Sequence, residues 1–342
     1  MIVSTRSAPA RSRRVTVVGI GADGVSGLSA RALEALRSAP AIHGSPRQLA
    51  LLEGDREVAS VPRIELPRPL IPALVRAIES AAGSGEVFLA SGDPMFHGIG
   101  ATIARMITNS DIDAELVSIP APSAASLAAS RLGWPLAEVP TINLLTKPVE
   151  ILLPHLHPGA RIFVYCEDAS GPGAIARLLD THGAGKATVH ILSDLTPDGG
   201  VVRSAPAADL ARNTTGAWSD LVMLAIEMPT LPWPGLAGGQ SSRAPGLADE
   251  VFEHDGQITK RIPRSVVMGL LRPFPGALLW DVGGGSGSIS IEWMRAAPGA
   301  RSVCFEIDPE RRARIERNAA ALGVGGRSLE VRDWMPPSLI DS

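Results

Sequence analysis

The chain has 342 residues, 45% hydrophobic and 20% charged, enough apolar material for two cores of ordinary domain size. A net charge of −3 and a pI near 6.2 leave no excess of positive charge for phosphate backbones or anionic membranes, and no apolar run nears the roughly 20 residues needed to span a bilayer. The expected partner is a small molecule, with no nucleic acid and no membrane. Cys166 and Cys304 sit inside apolar, strand-like runs, which fits a reducing cytoplasm and indicates neither a disulfide framework nor a metal site.

Residues 1–14 are rich in Arg, Ser and Ala and read as a disordered basic extension. A transit peptide or a twin-arginine signal at Arg13 and Arg14 is the alternative. The run after Arg14 enters a glycine turn directly, leaving no separate apolar h-region and no small-residue cleavage site. From Val15 to Met228, β-branched runs alternate with Ala/Leu-rich stretches, the pattern of an α/β domain. Strands are expected over 15–20, 86–90, 161–166, 188–192 and 221–227, and helices over 28–39, 99–107 and 173–181. Residues 229–256 turn to Pro, Gly, Ser and isolated charges, a linker composition. A second block, 257–342, again alternates, with strands over 277–282, 302–307 and 328–332 and helices over 289–296 and 309–322.

Gly19-Ile-Gly21-Ala-Asp-Gly24 follows a strand and satisfies the dinucleotide fingerprint in letter. The acid expected about 20 positions on, for ribose hydroxyls, is missing. That neighbourhood reads Ala41-Ile-His-Gly-Ser-Pro, so NAD is not the expected ligand. A second string, Ala90-Ser91-Gly92-Asp93-Pro94-Met95-Phe96-His97-Gly98-Ile99-Gly100, places a tight turn at a strand's carboxyl end, where a ligand can approach bare backbone.

These two strings, together with Pro120-Ala-Pro-Ser-Ala-Ala-Ser-Leu-Ala, resemble the tetrapyrrole methylase family over most of 15–228. Gly-Ile-Gly-Ala-Asp-Gly, in place of Gly-x-Gly-Pro-Gly, is similar to the branch that methylates carbon 5 of precorrin-6Y. The resemblance implies a two-lobed domain with S-adenosylmethionine folded between the lobes. It implies cofactor contacts at Ser91, Gly92 and Asp93, at Phe96, His97, Gly98 and Ile99, and at Ser123 and Ala124. The first glycine turn would lie toward the macrocycle, which makes Asp23 the candidate catalytic residue. His43, His97, His155 and His157 are candidates for acid or base work only in that histidine is capable of it.

In the second block Leu278-Leu-Trp-Asp281-Val-Gly283-Gly-Gly285-Ser-Gly287 has an acid before the glycines and its last glycine one residue early. A cationic sulfonium with no pyrophosphate suits that pattern, because a carboxylate attracts it. Glu306, closing the next strand, is the preferred acceptor for ribose hydroxyls, and Asp308 before Pro309 reads as a helix cap. Cofactor contacts are therefore expected at Asp281, Gly283, Gly285, Gly287 and Glu306. This block resembles the class I methyltransferase half fused, in the same order, in the precorrin-6Y C5,15-methyltransferase family, whose second half also removes a carboxyl group. By that resemblance Asp333 matches an aspartate near the adenine, although Arg332 replaces a glycine.

The resemblance implies a Rossmann-like sheet of seven strands, of which the block supplies three, so an incomplete and marginally stable domain with an unpaired edge is expected. The expected function is S-adenosylmethionine-dependent C-methylation of a precorrin in cobalamin biosynthesis, with carbon 15 activity and decarboxylation in doubt. The alternatives are a non-catalytic S-adenosylmethionine-binding remnant and a methyltransferase of the same fold acting on rRNA. A homo-oligomer is the expected assembly, and metal-free or cobalt-bearing substrate is left open.

Overall fold

The computed structural model describes residues 13–67, 69–109, 112–212, 218–219, 222–230, 236 and 239–334. The basic extension up to residue 12, part of the expected linker and the tail from residue 335 lie outside the described residues. Arg14, expected in the extension, instead opens the first strand. The chain forms two compact units: residues up to 136 with 194–200, and residues 137–193 with 201 onward.

In the first unit, in chain order, lie β1 (Arg14–Ile20), α1 (Ala30–Arg37), β2 (Ile42–Gly44), α2 (Pro46–Ala50), α3 (Arg56–Ala59), β3 (Arg63–Glu65), α4 (Leu70–Ser84), β4 (Val87–Ser91), α5 (Ile99–Asn109), β5 (Glu115–Ile119) and α6 (Ala124–Leu132). The strands pair in parallel in the order β3-β2-β4-β1-β5. Alternation along β1 divides its side chains between two cores. Val15 and Val17 pack with Leu74, Ile78 and Ile103 of α4 and α5, while Val18 and Ile20 pack with Ala32 and Leu36 of α1. Covering both faces is what a parallel sheet requires. The three-residue strands β2 and β3 are too short to show a period of two, and the sequence reading passes over them.

Local chemistry sets the helix starts. Ser29 caps α1, and Ser45 with Gln48 forms a capping box ahead of Pro46 on α2. Asp55 caps α3 through the amides of Glu57 and Val58 and also pairs with Arg37.

The second unit begins with β6 (Thr141–Asn143), β7 (Arg161–Tyr165), α7 (Gly171–Thr181), β8 (Thr188–Ser193), β9 (Val201–Pro206), α8 (Ala207–Arg212) and β10 (Val222–Glu227). These strands form a mixed sheet, β6-β7-β10-β8-β9, parallel only between β6 and β7. Then come α9 (Arg261–Leu271), β11 (Leu278–Val282), α10 (Ser288–Ala296), β12 (Arg301–Phe305), α11 (Pro309–Ala321) and β13 (Leu329–Arg332), whose strands form the parallel sheet β11-β12-β13. Among the described residues β11 pairs with β12 alone, and Leu278, Trp280 and Val282 are exposed along it.

The linker composition of 229–256 misleads over its second half. Leu247 and Phe252 are buried with Met268, Ile291 and Trp293, so this stretch belongs to the core of the last block. Gly and Pro mark irregular backbone, and irregular backbone packs where its polar groups find partners. Here Glu292 accepts the amides of Gly246 and Leu247 at 2.8 and 2.9 Å. The helical turn Val149–His155, between β6 and β7, also touches the last block: Arg243 donates to His155 Nε2 at 3.0 Å, and the Glu150 carbonyl leaves no room for a side chain at Gly323.

The Asp55 cap gives a pH test. The Arg37 guanidinium and the α3 amides hold its carboxyl down at about 2 from an ordinary 3.8. A depressed acid stabilises the fold fully above its ordinary value and loses that contribution as pH falls through the lowered one. Carbon-13 titration of the Asp55 carboxyl should show a midpoint near 2 that returns toward 3.8 in Arg37→Ala.

Candidate functional site

Parallel pairing brings the carboxyl ends of β4, β1 and β5 side by side, and the residues just past them form the first candidate site. Gly19 lies at its centre. A side chain there would strike the Gly92 carbonyl and approach the Ala121 amide to 2.6 Å, so backbone fills the space a β-carbon would take. Gly92 has φ +64°, a left-handed conformation open to glycine, donates to the Ile20 carbonyl at 2.9 Å and packs against Pro122 and Ser123. Ser91, Gly92, Asp93, Ser123 and Ala124 are thereby gathered at one sheet edge, the edge at which open α/β sheets take ligands.

Several of these side chains have identifiable work. Asp93 Oδ1 accepts the Met95 amide at 2.8 Å and sets the turn, and the Asp93 carbonyl accepts the Phe96 amide. His97 carries φ +60° without being glycine, and Phe96 stacks obliquely on it at 4.7 Å. Gly98, whose β-carbon would meet the Pro94 carbonyl at 2.7 Å, lets the chain fold back before α5 opens at Ile99. Ser123 caps α6 through the Ser126 amide at 3.0 Å. Gln48, which the sequence reading passes over, donates to Ser91 Oγ at 3.1 Å.

Asp23 folds into its own turn. Its two carboxylate oxygens occupy the spaces where side chains at Gly21 and Gly27 would stand, which explains small residues at both positions. Of the histidines, His43 is buried, stacked on Phe88 and joined to Glu86 at 2.6 Å, the arrangement of a core group. His155 is pushed down to about 4, chiefly by burial and then by Arg243, so it is a neutral acceptor.

The second candidate site repeats the arrangement on β11, β12 and β13. Gly283, Gly285 and Gly287 all have left-handed φ, at +82°, +58° and +76°. A β-carbon on Gly283 would meet nothing within 4 Å, so the turn presents open backbone. Glu306 lies just past β12, with Oε2 accepting the Gly285 amide at 2.8 Å and Oε1 the Asp308 amide at 3.0 Å. A carboxylate has about four lone-pair directions, so two remain for hydroxyl donors. The Glu306 amide donates to the Arg332 carbonyl at 2.9 Å, which brings exposed Asp333, one residue past β13, to the same edge. Asp308 caps α11 through the amides of Glu310 and Arg311.

Asp281 departs from the picture of a carboxylate held out toward a cation. Its Oδ2 receives the Ser290 hydroxyl at 2.6 Å, the Ser290 amide at 3.3 Å and the Cys304 thiol at 3.8 Å, which stitches β11 to α10. Burial raises its pKa. Among the described residues no group of three His, Cys, Asp or Glu could hold a metal ion, and no helix is long and apolar enough to cross a membrane.

Comparison with known proteins agrees with this geometry in both halves. Residues 14–211 match the family of Tetrapyrrole (Corrin/Porphyrin) Methylases, and residues 250–340 match the Precorrin methyltransferase domain. A Precorrin-6Y C(5,15)-methyltransferase [decarboxylating] of Sinorhizobium sp is 42% identical over 321 residues, covering 92% of this chain and 73% of that protein. The chain belongs to the precorrin-6Y C(5,15)-methyltransferases of the tetrapyrrole methylase family. A protein of the same name from Mycobacterium tuberculosis (strain ATCC 25618 / H37Rv) is 39% identical over 331 residues, covering 96% of this chain and 78% of that protein. The solved structure of the methyltransferase CobJ, at 18% identity and TM-score 0.52, covers 66% of this chain and 95% of that chain and shows the fold alone. These relatives favour neither the remnant nor the rRNA alternative.

Two outcomes check the geometry. Gly19→Ala should cost about 1–3 kcal/mol by overpacking and raise amide exchange at 91–93 and 120–123. Burial raises both thiols to about 12, at Cys304 with help from Asp281, so neither should react with Ellman's reagent at pH 8 until the chain is unfolded.

Proposed function

We propose that the chain methylates a precorrin-6Y macrocycle in cobalamin biosynthesis, at carbon 5 from the 15–228 block and at carbon 15, with loss of an acetate carboxyl group, from a block that begins nearer Gly246 than Gln257. The observation that carries this reading is the repeated site: glycine-lined backbone at the carboxyl ends of three adjacent parallel strands, twice in one chain, in a member of a methyltransferase family. S-adenosylmethionine supplies, when bound, an electrophilic methyl group on a cationic sulfur.

The residues present fit that cofactor. Gly283 leaves room for it against the backbone, and Glu306 keeps acceptor capacity for ribose hydroxyls. In the first block Gly92 and the turn of Asp93 to Gly98 would take the corresponding part. The nucleophile is a ring carbon activated by its own conjugation, so the protein's task is to hold the reactants in line more than to remove a proton. Asp23 sits between two glycines as an anionic group able to tolerate the proton that later leaves. Asp281 serves by fixing the start of α10, and with it the last glycine of the turn.

Incubation with methyl-labelled S-adenosylmethionine and precorrin-6Y tests the reading, with mass spectrometry counting methyl groups per macrocycle. Carbon 5 should be methylated, and Gly92→Val should lower that rate by about 10²-fold, the scale expected when reactants are misplaced by an ångström. Glu306→Ala should leave carbon 5 methylation intact and suppress any second methyl together with carbon dioxide release. Tight cofactor binding with no methyl transfer would support the remnant instead.

A further inference from the structure

Two contacts join the mixed-sheet lobe to the last block, and each is made between parts already fixed in their own cores. On the lobe side stands the helical turn Val149–His155, anchored by Leu152 and Leu153 within it and Leu156 after it, all at zero exposure in the mixed-sheet core. On the other side stand Gly323, just past α11, and Arg243.

Gly323 shows how close the approach is. Its φ of +74° is a conformation that residues at helix ends often adopt, and Gly85, Gly133 and Gly183 do the same after α4, α6 and α7. A β-carbon on any of those three would meet nothing within 4 Å. On Gly323 it would strike the Glu150 carbonyl and come within 3.1 Å of Pro154 Cδ. Helix termination accounts for the glycine, and only docking accounts for the filled space.

The second contact is polar. Arg243 Nη2 donates to His155 Nε2 at 3.0 Å, a bond that needs a neutral imidazole. Burial, then Arg243 and His157, push His155 down to about 4, which keeps it neutral near pH 7. One buried cation supports both docking residues. Arg295, in the last turn of α10, donates to the carbonyls of Leu322 and Ser242, the residues before Gly323 and Arg243, and to the Gln240 carbonyl. The connecting chain is pinned on both sides as well. Leu236 is buried in the mixed-sheet core, and Gln240, held by Arg295, follows within about 14 Å of fully extended chain.

We infer that Gly323, Arg243 and the Leu322 end of α11 form a docking face of the last block, whose partner is the turn 149–155, so that lobe and block ride as one body instead of as separate domains on a flexible tether. This goes beyond the proposed function and stands apart from which reaction either block performs.

Spin labels on the full chain at Arg177→Cys of α7 and Glu316→Cys of α11, both exposed positions, read the arrangement by double electron–electron resonance, while the native thiols stay buried. If the inference holds, the distance distribution is a single narrow peak, and a broad distribution overturns it. Gly323→Ala forces a methyl group onto the Glu150 carbonyl and should broaden the peak and speed amide exchange across the joint, at 149–156, about tenfold. Gly133→Ala adds the same backbone strain at a helix end that faces open space and should do neither. Equal effects from both variants, or none from Gly323→Ala, overturn the docking face. Should Gly323→Ala fail to fold, His155→Leu removes the acceptor of Arg243 and should speed exchange at 240–243, and His155→Gln, which keeps an acceptor, should do so less. Unchanged exchange at 240–243 in His155→Leu overturns the docking face.

Discussion

No side chain fits at Gly19, and the architecture of the first site follows from that. Where β1 ends between β4 and β5, the Gly92 carbonyl and the Ala121 amide occupy the volume that a β-carbon would fill. Three strand exits can therefore converge, leaving main-chain groups and short turns at the sheet edge where longer side chains would otherwise stand. Parallel pairing makes the constraint useful, because it delivers all the exits to one edge. The second site solves the same problem differently: three left-handed glycines after β11 open the backbone, and a carboxylate from the neighbouring strand steadies them.

Carboxylates across the molecule are engaged in holding backbone. Asp93 sets a turn, Asp308 caps a helix, Glu306 bridges two loops, Asp281 stitches strand to helix and Glu292 holds incoming chain. Methyl transfer to an activated ring carbon asks chiefly for alignment. A site whose acids fix geometry suits that demand better than one whose acids stand ready to exchange protons. The histidines agree, since His43 and His155 are both tied into packed structure.

How much was legible along the chain depended on the range of the cause. Strands with strong β-branched runs and helices with their own caps lay close to where residue patterns placed them, within a residue or two at most boundaries. Short β2 and β3 carried too little period to read, and α4 was passed over although Ala73, Leu74, Ile78, Ala81 and Ala82 bury one face at helical spacing behind a first-turn Pro72. The glycine strings were legible because a left-handed backbone or a close approach restricts the residue type locally. Asp308 was legible as a cap because its side chain bonds amides only two and three residues on, with Pro309 opening the helix.

What the sequence determined by itself, then, was the alternation of strands and helices, the two glycine turns and the acid closing β12, each a consequence of local backbone geometry. Tertiary structure alone decided what the acids face. Asp281 turns to a serine nine positions on, Asp23 folds between two glycines, and Arg264 and Asn318 reach main chain far from them in sequence to bind a stretch that composition marks as linker. A partner's distance along the chain leaves no trace in composition, whereas burial of a charge or an amide compels such a partner to exist.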